Sequence, residues 1–483
     1  MAGSPNILVI LTDQQRFDTL AAYGNRICQT PATDRLAREG MTFIHAFTPT
    51  SLCSPARASL LTGLYSHNHT MTDLTNTRIP SIKELPGHLT SFATLLQRAG
   101  YDTGYVGKWH CGASSSPLDW GFDEYQPGEG WHEWRPAGVE LENESAIRLG
   151  YDRSRPMAAR VACPLEEYPE LGRTDAAIDF LERQVASEGS FFLQLNYFGP
   201  HYPHYLPEPY HSMYDPLDIP ACPNFKARST TPHYGDRWLR QRWSPDTDEW
   251  APYAEIVAAQ YGQVTLLEHE IQRVLDALDR LQLADGTLVI FASDHGELAG
   301  AHGLMQKGAV AYDELYRVPL IARWPGVIDP GSSCDSMVNL FDLMPTILEA
   351  ACCQPPDDID ARSLLPLLEG QSPADWPEQV FCEYLATQAG DMALKILRTR
   401  THKLAVNLSD GDELYDLEDD PGETKNRIGQ PSCAPVLKDL ARRLDTEMRR
   451  THDPLAPRFQ RRMAPYLRVA DGRGTTGNSP SPG

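Results

Sequence analysis

Short runs of consecutive apolar residues, each ending abruptly in polar ones, alternate along most of the chain with stretches of helical periodicity. Ile7 to Leu11 is five apolar residues between turn formers, the pattern of a strand covered on both faces. Thr30 to Gly40 predicts a helix, followed by a strand over Met41 to Phe47, and Tyr101 to Val106 predicts another strand. Asp175 to Ala186 is an amphipathic helix leading into the strand Phe191 to Phe198. From Tyr261 to Leu281, Val264, Leu267, Ile271, Val274, Leu275 and Leu278 recur at helical spacing and predict a long helix packed on a sheet. Gly286 to Ser293 and Val318 to Ala322 are further strands, and Leu340 to Leu348 opens a helix ending near Ala351. This alternation predicts an α/β fold with a large, mostly parallel, doubly wound sheet flanked by helices.

After Gln354-Pro355-Pro356-Asp357-Asp358 the pattern changes. Val380 to Tyr384, Leu394 to Thr399, Lys403 to Asn407 and Glu413 to Leu417 are short alternating strands, and Ala434 to Arg450 is a helix. They predict a smaller antiparallel sheet with one packed helix. The expected organisation is a catalytic α/β region over 1–375, an α+β subdomain over 376–465, and a disordered tail over 466–483 rich in Gly, Ser, Thr and Pro.

Composition narrows the partners. The 483 residues are 41% hydrophobic and 22% charged, enough for a large core, and the net charge is −22. That charge argues against nucleic acid or an anionic membrane as partner. An anionic substrate would need cations gathered locally. Ten cysteines without metal-type spacing imply reduced thiols. The apolar run at the N-terminus is too short to span a membrane and lacks a basic leader and a cleavage site, so a cytoplasmic protein is expected unless a native signal was removed.

Polar residues collect where the predicted strands stop. Asp13 and Gln14 follow the first, Lys108 and His110 the third, and Asp294 and His295 follow Ser293. His201 sits between Pro200 and Pro203, and Lys307 lies in a loop next to Gly308. In open α/β sheets ligands bind beyond the carboxyl ends of the strands. Taken singly, Asp13 reads equally well as a helix cap and Lys108 as a solvated cation. Five strand ends, leading to Asp13/Gln14, Cys53/Arg57, Lys108/His110, His201 and Asp294/His295, deliver such residues to one edge and argue for a single site. At Cys53 the sequence predicts a nucleophile at a helix mouth, with Ser54 as N-cap, Pro55 at the first helical position and Gly63 as the stop. Arg57, one turn on, can fold back over the sulfur, and a helix N-terminus favours an anion.

The five residues Cys53-Ser54-Pro55-Ala56-Arg57 read C-x-P-x-R, which resembles the maturation signature of the type I sulfatases. The likeness runs from about Asn6 to Ile428 and includes Leu414-Tyr415-Asp416-Leu417 with Asp420-Pro421. It implies an alkaline phosphatase-like fold and a sulfatase that hydrolyses a sulfate monoester. It also implies that a formylglycine-generating enzyme oxidises Cys53 to formylglycine (3-oxoalanine), whose hydrate is the nucleophile. By the same resemblance Asp13, Gln14, Asp294 and His295 bind one divalent cation together with residue 53, and Arg57 steadies the hydrated aldehyde. Lys108 and Lys307 bind sulfate oxygens, His201 protonates the leaving alcohol, and His110 takes the proton that releases sulfate. Many members carry Asp-Asp and Asn where this chain has Asp13-Gln14 and His295. Calcium is the ion expected from the family, and the imidazole favours magnesium or manganese more than an all-oxygen set would.

Six of the nine tryptophans fall in two insert-like regions: Trp120, Trp131 and Trp134, then Trp238, Trp243 and Trp250. With Arg135, His204, Arg237 and Arg240 they are candidates for pocket walls, Trp131 and Trp238 foremost. Flat aromatic faces suit a small-molecule or oligosaccharide sulfate ester. Loops packing their own aromatics is the competing reading. The nearest rival function is a phosphonate monoester or phosphodiester hydrolase, against which Lys108-Trp109-His110 speaks, because relatives acting on diesters tend to lack that lysine. Oligomeric state is not encoded legibly.

Overall fold

The computed structural model describes residues 4–76, 82–127, 141–142, 156–227, 233–245, 247–387 and 390–468. In chain order the strands before the last third are β1 (Asn6–Thr12), β2 (Met41–Phe47), β3 (Asp102–Gly107), β4 (Glu124–Pro127), β5 (Ala158–Arg160), β6 (Phe191–Asn196) and β7 (His204–Leu206). They are followed by β8 (Thr287–Ser293), β9 (Leu320–Arg323) and β10 (Ser332–Asn339). Eight of them form one sheet in the order β10-β2-β9-β8-β1-β6-β3-β4, while β5 and β7 pair separately. All pairings in the large sheet are parallel except those of β9, which runs antiparallel to both β2 and β8.

Alternate residues of each central strand enter two different cores. Ile7, Val9 and Leu11 of β1 join Leu288, Ile290 and Ala292 of β8 on one face, against the helices Phe92–Arg98 and Leu343–Ala350. Leu8 and Ile10 join Val289 and Phe291 on the other, under the helices Pro31–Glu39, Pro169–Gln184 and Ala251–Arg280. A strand buried on both sides has no polar face to show, which is why these segments are continuous apolar runs.

The second sheet is an antiparallel meander of β11 (Gln379–Tyr384), β12 (Leu394–Thr399), β13 (His402–Asn407) and β14 (Glu413–Asp416). One face packs Phe381, Leu397, Leu404, Val406 and Leu414 under the helices Ala434–Arg450 and Ala456–Leu467. The other packs Val380, Cys382, Tyr384 and Ile396 against Phe47, Leu52 and Tyr316 of the main body. The polar positions of the alternating pattern therefore face protein, and they are neutralised in pairs. Lys395 lies opposite Glu383 in the β11–β12 register and bridges it and Asp453 at 2.5 Å each, with all three side chains fully buried. His67 closes this group through Nδ1, 2.8 Å from Glu383. Lys403 likewise joins Asp313 and Glu423.

The structure corrects several expectations. β9 is the antiparallel strand of the mostly parallel sheet, and β4 and β10 lie at its edges although neither is an apolar run: β4 is largely exposed, and β10 buries only Cys334 and its last three residues, Met337 to Asn339. The helix expected over Asp175 to Ala186 begins at Pro169, and the long helix begins at Ala251 rather than Tyr261. The terminal helix Ala456–Leu467, broken in sequence by Pro465, packs through Ala456, Phe459 and Met463. Of the tail expected over 466–483, Tyr466 and Leu467 end that helix, and residues 469–483 lie outside the described residues.

Removing one partner from a buried ionic group strands the others, at a cost of about 3–5 kcal/mol. Lys395→Ala is expected to lower unfolding free energy by about that much in urea titrations, and a loss below about 1 kcal/mol contradicts the assignment. His67 is pushed down by burial but more strongly up by Glu383, giving a net raised pKa. Its stabilisation is therefore full below the unfolded value near ~6.5 and fades as pH rises through the higher folded value. His67→Gln is expected to abolish that part of the pH dependence.

Candidate active site

Strand register builds the site. β1 and β8 run parallel with Thr12 beside Ser293, so the next residues, Asp13 and Asp294, leave the sheet side by side. β6 lies on the other flank of β1 and carries Asn196 beside Leu11. β3 ends at Gly107 next to Asn196, and Gly107 turns there with φ of 95°, where a Cβ would strike the Asn196 carbonyl. That turn delivers Lys108 and His110. The loop after β6 brings His201; its start is held by Glu170, whose Oε1 accepts the N–H groups of Phe198 and Gly199 at 3.1 and 2.9 Å. Cys53 arrives from β2 at the head of the helix Cys53–Thr62.

That helix starts two residues earlier than its sequence suggests. Leu52 is the N-cap, and its carbonyl accepts the Ala56 N–H at 2.9 Å. Ser54 lies inside the first turn, its hydroxyl taken up by the Thr75 N–H at 3.3 Å. Cys53 is thus itself the first helical residue, at the positive end of the dipole. Gly63 ends the helix in the left-handed region at φ 71°, as expected.

Around the Cys53 sulfur lie Lys307 Nζ at 3.0 Å, His295 Nε2 at 3.1 Å and Asp13 Oδ1 at 3.6 Å. Against the lowering by burial, His110 and His201 lie near enough to Cys53 for it to raise the pKa of each. Arg57 does fold back, but its N–H groups reach the carboxylates beside the sulfur: Asp294 at 2.9 Å, Asp13 at 3.0 Å, then Asn196 Oδ1 at 3.2 Å and the Lys108 carbonyl at 3.0 Å. Lys108 Nζ lies 2.6 Å from Asp13, and the Gln14 N–H donates to Asp294 at 3.1 Å. Gln14 Oε1 accepts from Lys307 at 2.6 Å. Asp13, Gln14, Cys53, Arg57, Lys108, His110, His201, Asp294, His295 and Lys307 therefore gather around one point, within an acidic protein whose local cations are few and buried.

The charges are mutually tuned. Burial raises the Cys53 thiol, but Lys108, Lys307 and His295 overcome it and hold the group well below an ordinary thiol. Burial and the Cys53 charge oppose ionisation of Asp13, while Lys108, His201 and Arg57 keep it ionised; burial and Asp13 push Asp294 up. Burial and Lys307 push His201 down to about 3. His295 donates Nδ1–H to the Gly296 carbonyl at 2.9 Å, which turns Nε2 toward the sulfur; burial and Lys307 lower its pKa, but Asp294 and Cys53 raise it on balance. Ligand atoms of Asp13, Cys53, Asp294 and His295 all lie within 4.8 Å of one another. Two carboxylates, one imidazole and one amide oxygen suit a hard or borderline divalent ion.

Some expected wall residues do something else. Trp120 is buried in the main core, Trp250 donates to the Ile219 carbonyl and stacks on Tyr253, and His204 bonds Gln263. Arg240 donates to the His302 and Gly303 carbonyls. These are loops packing themselves. Trp238 is half-buried and borders Gly308, beside Lys307. Trp243 meets Tyr202 edge-on, and Tyr202 stacks on His201. Trp131, Trp134 and Arg135 lie outside the described residues. Sequence reading assigned no role to Asn196, Glu297 and Gln306. Asn196 was detectable as an amide ending a strand otherwise rich in apolar residues; the other two carried no comparable signal. Where Cys53 remains a thiol, its ultraviolet thiolate band, measured against Cys53→Ala, is expected to be fully developed at pH 7, below the ordinary thiol pKa near ~8.5. A band that develops only above that value contradicts the geometry.

The chain matches the Sulfatase family over residues 5–352 and the C-terminal region of N-sulphoglucosamine sulphohydrolase over residues 300–450. It is 28% identical to an N-acetylglucosamine-6-O-sulfatase of Bacteroides thetaiotaomicron, covering 93% of this chain and 87% of that protein. It is 31% identical to the multifunctional alkaline phosphatase superfamily protein PehA of Trinickia caryophylli, over 91% of this chain and 94% of that one. Among solved structures, a phosphonate monoester hydrolase from Silicibacter pomeroyi superimposes with a TM-score of 0.78 at 26% identity, covering 93% and 96% of the two chains. With a family match across most of its length and the strand-edge site that the family signature predicted, the chain belongs to the sulfatases of the alkaline phosphatase superfamily and is a sulfatase enzyme.

Proposed function

We propose that the protein hydrolyses the sulfate monoester of a carbohydrate, using residue 53 as formylglycine and one divalent cation. The observation that carries this reading is the convergence of Cys53, Asp13, Asp294 and His295 on one point, with Lys108 and Lys307 at its rim. Asp13, Gln14, Asp294 and His295 would hold the cation, calcium being the ion proposed, with magnesium or manganese as the alternatives the imidazole favours. Bound there, the cation and the hydrated aldehyde supply charge neutralisation and a hydroxyl nucleophile at neutral pH, with a second hydroxyl through which sulfate is released.

The chain's own groups do the rest. Lys108 and Lys307 bind sulfuryl oxygens from two sides and neutralise the charge that builds on them. Arg57 holds Asp13 and Asp294 in place and sets the height of the helix bearing residue 53. His201 fixes its ring by donating Nδ1–H to the Tyr202 carbonyl, so Nε2 faces the site and can pass a proton to the leaving alcohol. An anion seated between the lysines opposes the effects that otherwise keep His201 neutral. His110 Nδ1 has no hydrogen-bond partner among the described residues, and the ring contacts residue 53, the position of a group that accepts its proton. The sugar class is supported by the name of the Bacteroides relative, and Trp238, which borders Gly308 next to Lys307, is the wall residue proposed to meet it.

A second reading, phosphonate monoester hydrolysis, is favoured by Gln14 and His295 at the metal pair and by the likeness to the Silicibacter enzyme. Rates on an aryl sulfate and an aryl phosphonate monoester separate the two, measured on protein whose Cys53 peptide is about 18 Da lighter than the thiol form. The sulfatase reading predicts a kcat/KM at least about a hundredfold higher on the sulfate, and a loss of about 10²–10³-fold on that substrate in Lys108→Ala. A preference for the phosphonate, or an unmodified Cys53 in fully active protein, overturns it.

A further inference from the structure

We infer that Glu297, seconded by Gln306, is the positioning residue that decides which end of the Gln14 amide enters the site. The inference rests on the sulfatase reading above, in which the Gln14 oxygen is a cation ligand. Gln14 follows β1 directly and adopts φ of 62°, a left-handed conformation that a glutamine holds only when its surroundings insist. Its side chain is 1% exposed, and both ends of the amide are engaged. On the inner side Oε1 accepts from Lys307 Nζ at 2.6 Å, and the same ammonium lies 3.0 Å from the Cys53 sulfur. On the outer side Nε2 donates to Glu297 Oε2 and to Gln306 Oε1, the latter at 3.1 Å.

An ionised carboxylate only accepts hydrogen bonds, so the group facing Glu297 must be the NH2. Turning the amide over would set its NH2 against the Lys307 ammonium and its oxygen against two acceptors, an error at both ends. Glu297 cannot move away to relieve such a clash. It is 3% exposed, and Oε1 is already committed to the backbone N–H groups of Ala299 and Gln306. Gln306 is itself left-handed at φ 72° and immediately precedes Lys307, so one loop supplies the second acceptor and the cation on the opposite side. Where a carboxylate stood at position 14, either end would present oxygen and no such arrangement would be required. The glutamine makes orientation matter, and Glu297 supplies it.

The isosteric exchange, which keeps the shape of the side chain and removes its charge, tests this. In Glu297→Gln the new amide keeps its oxygen on the two backbone N–H groups, which points its NH2 at the NH2 of Gln14. Donor then faces donor, Gln14 is forced over, and nitrogen enters the site. Calorimetric titration of metal-stripped protein with Ca²⁺ and with Mn²⁺ is expected to show affinity about 10–100-fold weaker than wild type. The double variant Gln14→Glu with Glu297→Gln restores a complementary pair and is expected to recover affinity to within a few fold. Equal affinity in wild type and Glu297→Gln, or a loss that the double variant does not recover, overturns the inference, because a loop staple alone would give one of those results. Should Glu297→Gln fail to fold by near-ultraviolet circular dichroism, Gln306→Leu carries the test: a several-fold loss supports the inference and none overturns it. Wild-type protein that binds neither ion would instead remove the parent reading.

Discussion

Two carboxylates that the sheet register forces together, Asp13 and Asp294, set the terms for everything around them. Parallel pairing of β1 with β8 leaves no choice about their proximity, and neither reaches water. Buried like charges at such range cannot both ionise without compensation. Arg57 gives a bidentate answer, one nitrogen to each carboxylate, and Lys108 adds a second positive charge on Asp13. The helix carrying Cys53 is consequently held by its own arginine against the strand ends, and the sulfur is set where the carboxylates face. In the proposed reading a cation occupies the remaining side of the pair.

The same logic recurs away from the site. The second sheet is buried on both faces, so its alternating lysines and glutamates are closed into internal ion groups. One of them ties the sheet to His67, shortly after the nucleophile-bearing helix; another ties it to Asp313, in the segment following the Lys307 loop. The C-terminal sheet thus braces both ends of the wall on which residue 53 and Lys307 sit. A chain with net charge −22 spends several of its cations inside, where each neutralises specific acids rather than the surface.

Central strands were legible because burial on two faces writes a continuous apolar run, and the site residues were legible because polar groups interrupt those runs at one edge. The C-x-P-x-R pentapeptide made Cys53 stand out even though the cap was misplaced: Ser54 looks like an N-cap, but its hydroxyl serves the Thr75 N–H instead. β10 escaped because Asp335 and Ser336 interrupt its buried residues, Cys334 and Met337 to Asn339, and the direction of β9 is set by partners far away in sequence. The tryptophans misled for a different reason. An aromatic-rich insert looks the same whether its rings meet a ligand or each other, and Trp120 and Trp250 meet protein. Glu297 and Gln306 gave no sign at all, since their role exists only through Gln14, 283 and 292 residues away.

The central claim is that one cation and one sulfate sit together at these strand ends. Anomalous diffraction from crystals of the mature protein soaked with Mn²⁺ and sulfate tests it directly. The account predicts one strong anomalous peak bounded by Asp13, Gln14, Asp294, His295 and residue 53, with sulfate oxygens in hydrogen-bond contact with Lys108 and Lys307. A manganese peak elsewhere, or a sulfate that avoids both lysines, would contradict it.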